Sequence, residues 1–159
     1  MDPIKFEVIR NALLEATEEM AIALRRSAYS TNIKTRADFS CAFFDQQLRV
    51  VAQAFAQPNH LGSFVELVPR AVREYLSRGE VTSPLHAGDA ILTNDPYGGG
   101  VHLNDITLIA PVYLPSPSGR GVGGEGERQG GGIPPLLGYV ASLAHHVDVG
   151  GGAPASVGA

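Results

Sequence analysis

The spacing of apolar and polar positions divides the chain into segments of different period. Asp2-Pro3 places an acceptor side chain before a residue whose fixed φ suits the first helical position. Phe6, Ile9, Leu13, Ala16, Met20 and Leu24 then recur every three or four residues, which predicts one amphipathic helix ending near Ala28. "FSCAFFD" and "LRVVAQ" read as two short strands forming a hairpin, turned after Asp45 by Gln46-Gln47 without the preferred glycine. Helical spacing returns after "PNHLG". Ser63 with Glu66 three residues on is a capping-box start, and Val65, Val68, Val72, Tyr75 and Leu76 supply the apolar face of a second helix closed by Gly79. Pro69 inside that pattern predicts a kink or a late start. "DAILTN", "DITLIAPVYL" and "LLGYVASLA" are three further strand-like runs, with Pro111 favouring an edge or a bulge in the second. The expected fold class is α+β: an amino-terminal amphipathic helix, short mixed or antiparallel strands, a second helix, then a strand pair interrupted by a glycine-rich loop.

At 159 residues the chain is long enough for one domain and one sizeable core. Glycine is the compositional outlier, 19 residues in all, against a usual share of about 7%. Eight of them fall in "PSPSGRGVGGEGERQGGGIPP", residues 115 to 135, where Val122 and Ile133 are the only large apolar side chains. Such a segment cannot bury enough surface to offset the entropy of ordering it, so it reads as a flexible insertion joining two paired strands. "GGGAPASVGA" at the end resembles no terminal packing element, which points to a fraying tail or to the front part of something longer.

Charge and hydropathy remove several function classes. A net charge of −4, with only Arg25-Arg26 adjacent, provides no basic stripe for a phosphate backbone and argues against a nucleic-acid partner. No apolar run approaches the roughly 18 residues that cross a bilayer, and "MDPIKFEVIR" lacks a signal-peptide layout, so a cytoplasmic location is expected. The single cysteine, Cys41 in "FSCAFF", makes no intrachain disulfide or cysteine zinc site and reads as a buried small hydrophobe rather than a nucleophile.

The candidate chemistry lies in two clusters beside glycine runs. In "NDPYGGGVHLND", residues 94 to 105, the glycines are followed by Val101-His102-Leu103, not by the Lys-Ser or Lys-Thr of a phosphate loop, nor by the third glycine of a dinucleotide fingerprint. His102 and Asp105 form H-x-x-D. Three-residue spacing puts both groups on opposite faces of an extended strand, so they converge only if residues 102 to 104 turn, which the preceding glycines permit. In "HHVDVGGG", strand alternation puts His146 and Asp148 on one face and His145 on the other. A mixture of imidazole and carboxylate suits Mn²⁺, Fe²⁺ or Zn²⁺ and leaves open positions for water or substrate. Against this stand plainer roles: His102 as a satisfied loop histidine, Asp105 and Asn94-Asp95-Pro96 as turn formers, and the His-His pair as one surface and one core residue. His60 beside Asn59 reads as a capping-region residue, and His86 as exposed. No G-x-S-x-G elbow is present, which disfavours nucleophilic hydrolysis.

Taken together, "TRADFSCAFFDQQLRVVAQ", "NHLGS", "GDAILTNDPYGGGVHLNDITLIAPVY" and "ASLAHHVDVGG", in that order, resemble the B-type subunit of the hydantoinase/oxoprolinase family. Relatives in this family include N-methylhydantoinase, ATP-dependent 5-oxoprolinase and the acetone and acetophenone carboxylases. The resemblance implies an amino-terminal portion, residues 1 to 159, of a longer subunit that works with an A-type, ATP-binding partner in a hetero-oligomer. It implies phosphorylation of a lactam or imide oxygen by that partner and hydrolysis of the activated cyclic amide, with carboxylation of a ketone, or an inactive truncated fragment, as the alternatives. The family metal pattern falls on His102, Asp105 and either His145 or His146, with Asp148 orienting an imidazole; His102, Asp105 and Asp148 are then the candidates for catalysis. The glycine-rich insertion and the ending "APASVGA" depart from the family pattern, and neither touches these residues.

Overall fold

The computed structural model describes residues 2–54, 57–78, 85–115 and 134–150. Helix α1 runs Pro3–Ser27, and the Asp2 carboxylate accepts from the Ile4 N–H at 3.0 Å, as an N-cap should. A single helical turn that periodicity did not foresee, α2 (Thr31–Lys34), leads into β1 (Phe39–Asp45), which pairs antiparallel with β2 (Val50–Gln53). The hairpin does without glycine: Leu48 takes the left-handed conformation at φ 63, and Asp45 Oδ1 accepts from the backbone N–H of both Gln47 and Arg49 at 2.9 Å.

The second long helix, α3 (Pro58–Ser77), starts well before the expected capping box at Ser63. Gln57 is its N-cap and makes no side-chain bond there; Pro58, with fixed φ and no N–H to satisfy, starts the helix instead. Pro69 stays within the helix, buried, and Gly79 lies outside the described residues. The earlier start also relocates the buried stripe. His60, Phe64, Leu67, Val68 and Val72 face the sheet, whereas Val65, assigned to that face by its spacing, is 64% exposed.

Strands β3 (Ile91–Thr93), β4 (Asp105–Tyr113) and β5 (Leu136–His145) complete a five-stranded sheet of order β2-β1-β5-β4-β3, antiparallel at every pairing. Alternation along β1 sends Ala42 and Phe44 to a core with Phe64, Val68 and Val72 of α3, and Phe39 and Cys41 to a second core with Ala21 and Ile33. The sheet is therefore covered by α3 on one face and α1 on the other, which is why six consecutive residues of β1 are buried. Each fully buried aromatic such as Phe44 or Phe64, packed edge to face at 6.1 Å, contributes roughly 1.5–3 kcal/mol. Pro111 is in an inner strand, not an edge, but it lies past Ile109, the last residue of β4 paired to β3, and the register shifts just beyond it at Val112/Tyr113.

Only the later part of α1 is covered. Phe6 and Ile9, both on the expected apolar face, remain half exposed, because a 25-residue helix is about 37 Å long and overhangs the sheet. No helix among the described residues is long and apolar enough to cross a membrane. Leu114 donates its N–H to Pro135 O at 2.9 Å, so the connection between β4 and β5 joins paired strands as expected; residues 116–133 and 151–159 lie outside the described residues.

Cys41 has no exposed surface, and burial, with a smaller contribution from the charge of Glu18, pushes its thiol up to about 12. Native protein at pH 8 should therefore label with a disulfide reagent only as fast as it unfolds. Rapid stoichiometric labelling without denaturant would contradict the packing described for β1.

Candidate metal centre

The two clusters meet at one end of the sheet, on the face covered by α3. Directly opposed residues of an antiparallel pair share a face, and the register pairs Asp105 with His145, Thr107 with Leu143 and Ile109 with Ala141. Since Ile109, Ala141 and Leu143 belong to the core beneath α3, Asp105 and His145 project to that side as well. Residues 102 to 105 do turn. The Asp105 N–H donates to His102 O at 3.0 Å, and Asp105 Oδ2 accepts from the His102 N–H at 2.9 Å.

The glycines before this turn serve packing. Asp95 caps a single 3-10 turn, Pro96–Gly98, by accepting from the Tyr97 N–H at 2.9 Å. Gly99 follows at φ 102, and a Cβ on it would stand 2.8 Å from the backbone nitrogen of Leu67 in α3. The loop thus rests on helix backbone at a distance and a φ that only glycine accommodates. Two amides fix its far end: Asn94 Nδ2 donates to Leu103 O at 2.8 Å, and Asn104 Nδ2 donates to His146 O at 3.0 Å.

The Asp105 carboxylate, buried to 2% exposure, bridges two imidazoles: Oδ1 lies 2.7 Å from His145 Nδ1 and Oδ2 lies 3.1 Å from His102 Nδ1. The two rings stand edge to face with centroids 5.3 Å apart. One donor atom from each of His102, Asp105 and His145 falls within 4.8 Å of the others. A buried carboxylate costs several kcal/mol unless paired, and the two imidazole N–H groups alone would satisfy it. The donor set also fits a divalent cation of the Mn, Fe or Zn type, with His102, its side chain 54% exposed, opening the cluster to solvent.

The structure separates the candidates. His145 is in the cluster; alternation alone left it equivalent to His146. His146 is not, and instead donates its backbone N–H to Asn104 O at 2.9 Å. Asp148 lies past the end of β5, exposed, with Oδ1 accepting from the Gly150 N–H at 2.9 Å, and is outside the cluster. His86 is exposed, as expected, beside Asp89 at 3.4 Å.

His60 requires a correction. It does not cap α3, because Gln57 occupies that position; it sits in the first turn facing the sheet, at 1% exposure. Its Nδ1 is 3.2 Å from Ser40 Oγ and its Nε2 is 3.6 Å from Asp38 Oδ1. Burial holds its pKa below the ordinary histidine value, against the opposing pull of the Asp105 and Asp38 carboxylates, so the ring is neutral near pH 7. Asp38, Ser40 and His60 were not among the sequence candidates. The available signal was parity: polar residues at 38 and 40 alternate with apolar Phe39 and Cys41, which marks one locally polar end of an otherwise buried strand.

Residues 2–159 match the hydantoinase B/oxoprolinase family. The chain belongs to this family. Among its relatives are an uncharacterized protein of Methanocaldococcus jannaschii, 42% identical over 99% of this chain and 24% of that protein, and the 5-oxoprolinase of Saccharomyces cerevisiae, 36% identical over 99% of this chain and 10% of that protein. A solved structure, the ATP-dependent caprolactamase of Pseudomonas jessenii, superposes with a TM-score of 0.73 at 28% identity, covering 98% of this chain and 23% of that one. The chain thus spans about a quarter or less of the length of these three proteins.

Proposed function

We propose that His102, Asp105 and His145 hold a divalent metal ion, Mn²⁺, Zn²⁺ or Fe²⁺, in a subunit of an ATP-dependent hydrolase that opens hydantoin-type or 5-oxoproline-type rings. The observation that supports this reading is the convergence of two imidazoles and one buried carboxylate from distant parts of the chain within 4.8 Å. When bound, such an ion polarises a carbonyl oxygen or lowers the pKa of a coordinated water. Asp105 contributes the fixed negative charge and orients both rings, His145 anchors the cluster to β5, and His102 stands at its open side, where a cyclic amide approaches. ATP is the task of an A-type partner subunit in a hetero-oligomer. In this chain Gly99 packs the loop against α3, Gly98 and Gly100 fold back on Asp95, and no Lys-Ser or Lys-Thr of a phosphate loop follows them. An ATP-dependent hydrolase with one buried thiol suits the cytoplasm.

Metal analysis of the purified chain before and after His102→Ala tests the centre, with occupancy expected to fall severalfold; equal occupancy removes His102 from it. For the reaction, ATP consumption is assayed with the partner subunit and a cyclic amide, with and without bicarbonate. Bicarbonate-independent consumption with ring opening is expected. Strict dependence on bicarbonate and a ketone would assign the chain to the carboxylase branch instead. Because the chain spans so little of its relatives, it should bind metal alone yet turn nothing over alone.

A further inference from the structure

A cavity of about 750 Å³ lies between α1, the end of β2 and the first turn of α3. That volume is in the range of small-ligand clefts, roughly 300–1,000 Å³. It opens at the same end of the sheet as the cluster, because Arg36 and Ala37 of its wall lead into Phe39, the residue of β1 paired with Ala144 at the end of β5. None of its lining residues belongs to the cluster. Ala37, Ala54 and Leu61 give it an apolar lining, and Glu18 and Arg36 add one charge of each sign.

We propose that this cavity binds a small amino acid, its carboxylate on the Arg36 guanidinium and its ammonium group on the Glu18 carboxylate. This deepens the ring-opening reading and rests on it for the origin of the ligand. Hydrolysis of a lactam breaks the bond between carbonyl carbon and nitrogen; the oxygen of water goes to the carbon and its two protons to the nitrogen. An uncharged amide thereby becomes a carboxylate and an ammonium group on one short chain. A hydantoin opened at its imide bond leaves a ureido acid instead, with no ammonium group for Glu18. The cavity is thus a product site, and it assigns the chain to the opening of lactams.

Three observations support the assignment. Arg10, Arg49 and Arg70 each hold a carboxylate, whereas among the described residues Arg36 holds none, and a guanidinium fork matches a carboxylate in both shape and charge. Glu18 is half-buried on α1, and its charge is felt by the Cys41 thiol of β1, so the carboxylate is turned towards the sheet. A carboxylate has acceptor positions for about four hydrogen bonds, which lets it take an ammonium group beside the contacts it already makes. With one charge of each sign in the wall, a plain anion or cation meets a like charge, and a ligand carrying both meets none unpaired. Ala37, lastly, is left-handed at φ 54, a conformation that a residue with a Cβ rarely adopts and that collects at ligand clamps. It separates Arg36, in the cavity wall, from Asp38, which lies towards His60.

The test is titration of the isotope-labelled chain, followed through its amide resonances, with L-glutamate and δ-aminovalerate. The comparison ligands are the closed rings, 5-oxoproline and δ-valerolactam, and valerate, which lacks the amine. The two amino acids should shift the resonances of Ala37, Ala54 and Leu61, and the comparison ligands should bind at least about tenfold more weakly, as expected when a charge-assisted contact is lost. Arg36→Gln should weaken δ-aminovalerate by about tenfold or more, and Glu18→Gln should bring it level with valerate. Thermal melts verify that both variants fold; should either fail to, the map of shifts on the unmutated chain decides. The proposal is overturned if neither amino acid shifts these resonances in the millimolar range, if the shifts fall instead on His102, Asp105 and His145, if δ-valerolactam or valerate binds as well as δ-aminovalerate, or if a folded Arg36→Gln variant keeps its affinity. Metal analysis of the same sample separates this site from the metal centre. A metal-free chain that binds the amino acids loses the centre and keeps the cavity site; a metal-bearing chain without these shifts keeps the centre and loses the cavity site.

Discussion

Asp105→Asn should leave the chain folded but reduce its metal content below about a tenth of the unmutated level. The side chain keeps its shape and loses its charge. At an effective dielectric of about 20, a unit charge roughly 4 Å from a dication is worth about 8 kcal/mol before desolvation is subtracted. If only a third of that survives desolvation, the affinity still falls by about 100-fold. The amide also fails the two rings: one of its atoms is now a donor, where the carboxylate offered an acceptor to both His102 Nδ1 and His145 Nδ1. Losing a charge-assisted hydrogen bond in a buried place costs about 1.5–3 kcal/mol, so the metal-free melting temperature should drop by roughly 3–10 °C. Metal analysis and a thermal melt on the same sample read both effects. Unchanged metal content with the expected loss of stability would make Asp105 an ordinary buried anion held by two histidines.

The second large effect discriminates between neighbours. His145→Ala should empty the centre, while His146→Ala should keep its metal within about a factor of two, since a substitution that removes no donor of the cluster and keeps its backbone bonds changes little. The reason is positional. His145 is the last residue of β5 and is opposed to Asp105, whereas His146 engages Asn104 through main-chain atoms that alanine retains. Equal losses in both variants would return a ligand role to His146 and require β5 to extend one residue further with altered register.

The elements with strong local signals were legible in the sequence. Asp2-Pro3 fixed the start of α1, the five strands fell on the runs that suggested them, and the H-x-x-D turn was required by the demand that its two groups converge. What failed depended on tertiary context. Ser63 and Glu66 have the spacing of a capping box, yet the sheet selects an earlier start at Pro58, because that register turns His60 and Phe64 inward and leaves Val65 in solvent. His145 and His146 could not be separated, because the choice depends on which face of β5 lies under α3, a fact about a helix far away in sequence. Asp38 and His60 escaped notice for the same reason. Each is unremarkable where it stands, and only the β1–β5 pairing and the docking of α3 bring them together.

Strands β4 and β5 carry their donors at one extremity and their connection at the other. From Asp105 to Tyr113 is about 27 Å at the usual rise per residue, and the chain leaves from Tyr113 and returns at Leu136. Lengthening or shortening that connection moves nothing near the imidazoles, since the ladder between is anchored pair by pair from Asp105 to Val112. This region is accordingly where an evolving or engineered gene can accept foreign sequence, a tag or a recognition peptide, without disturbing the ligands.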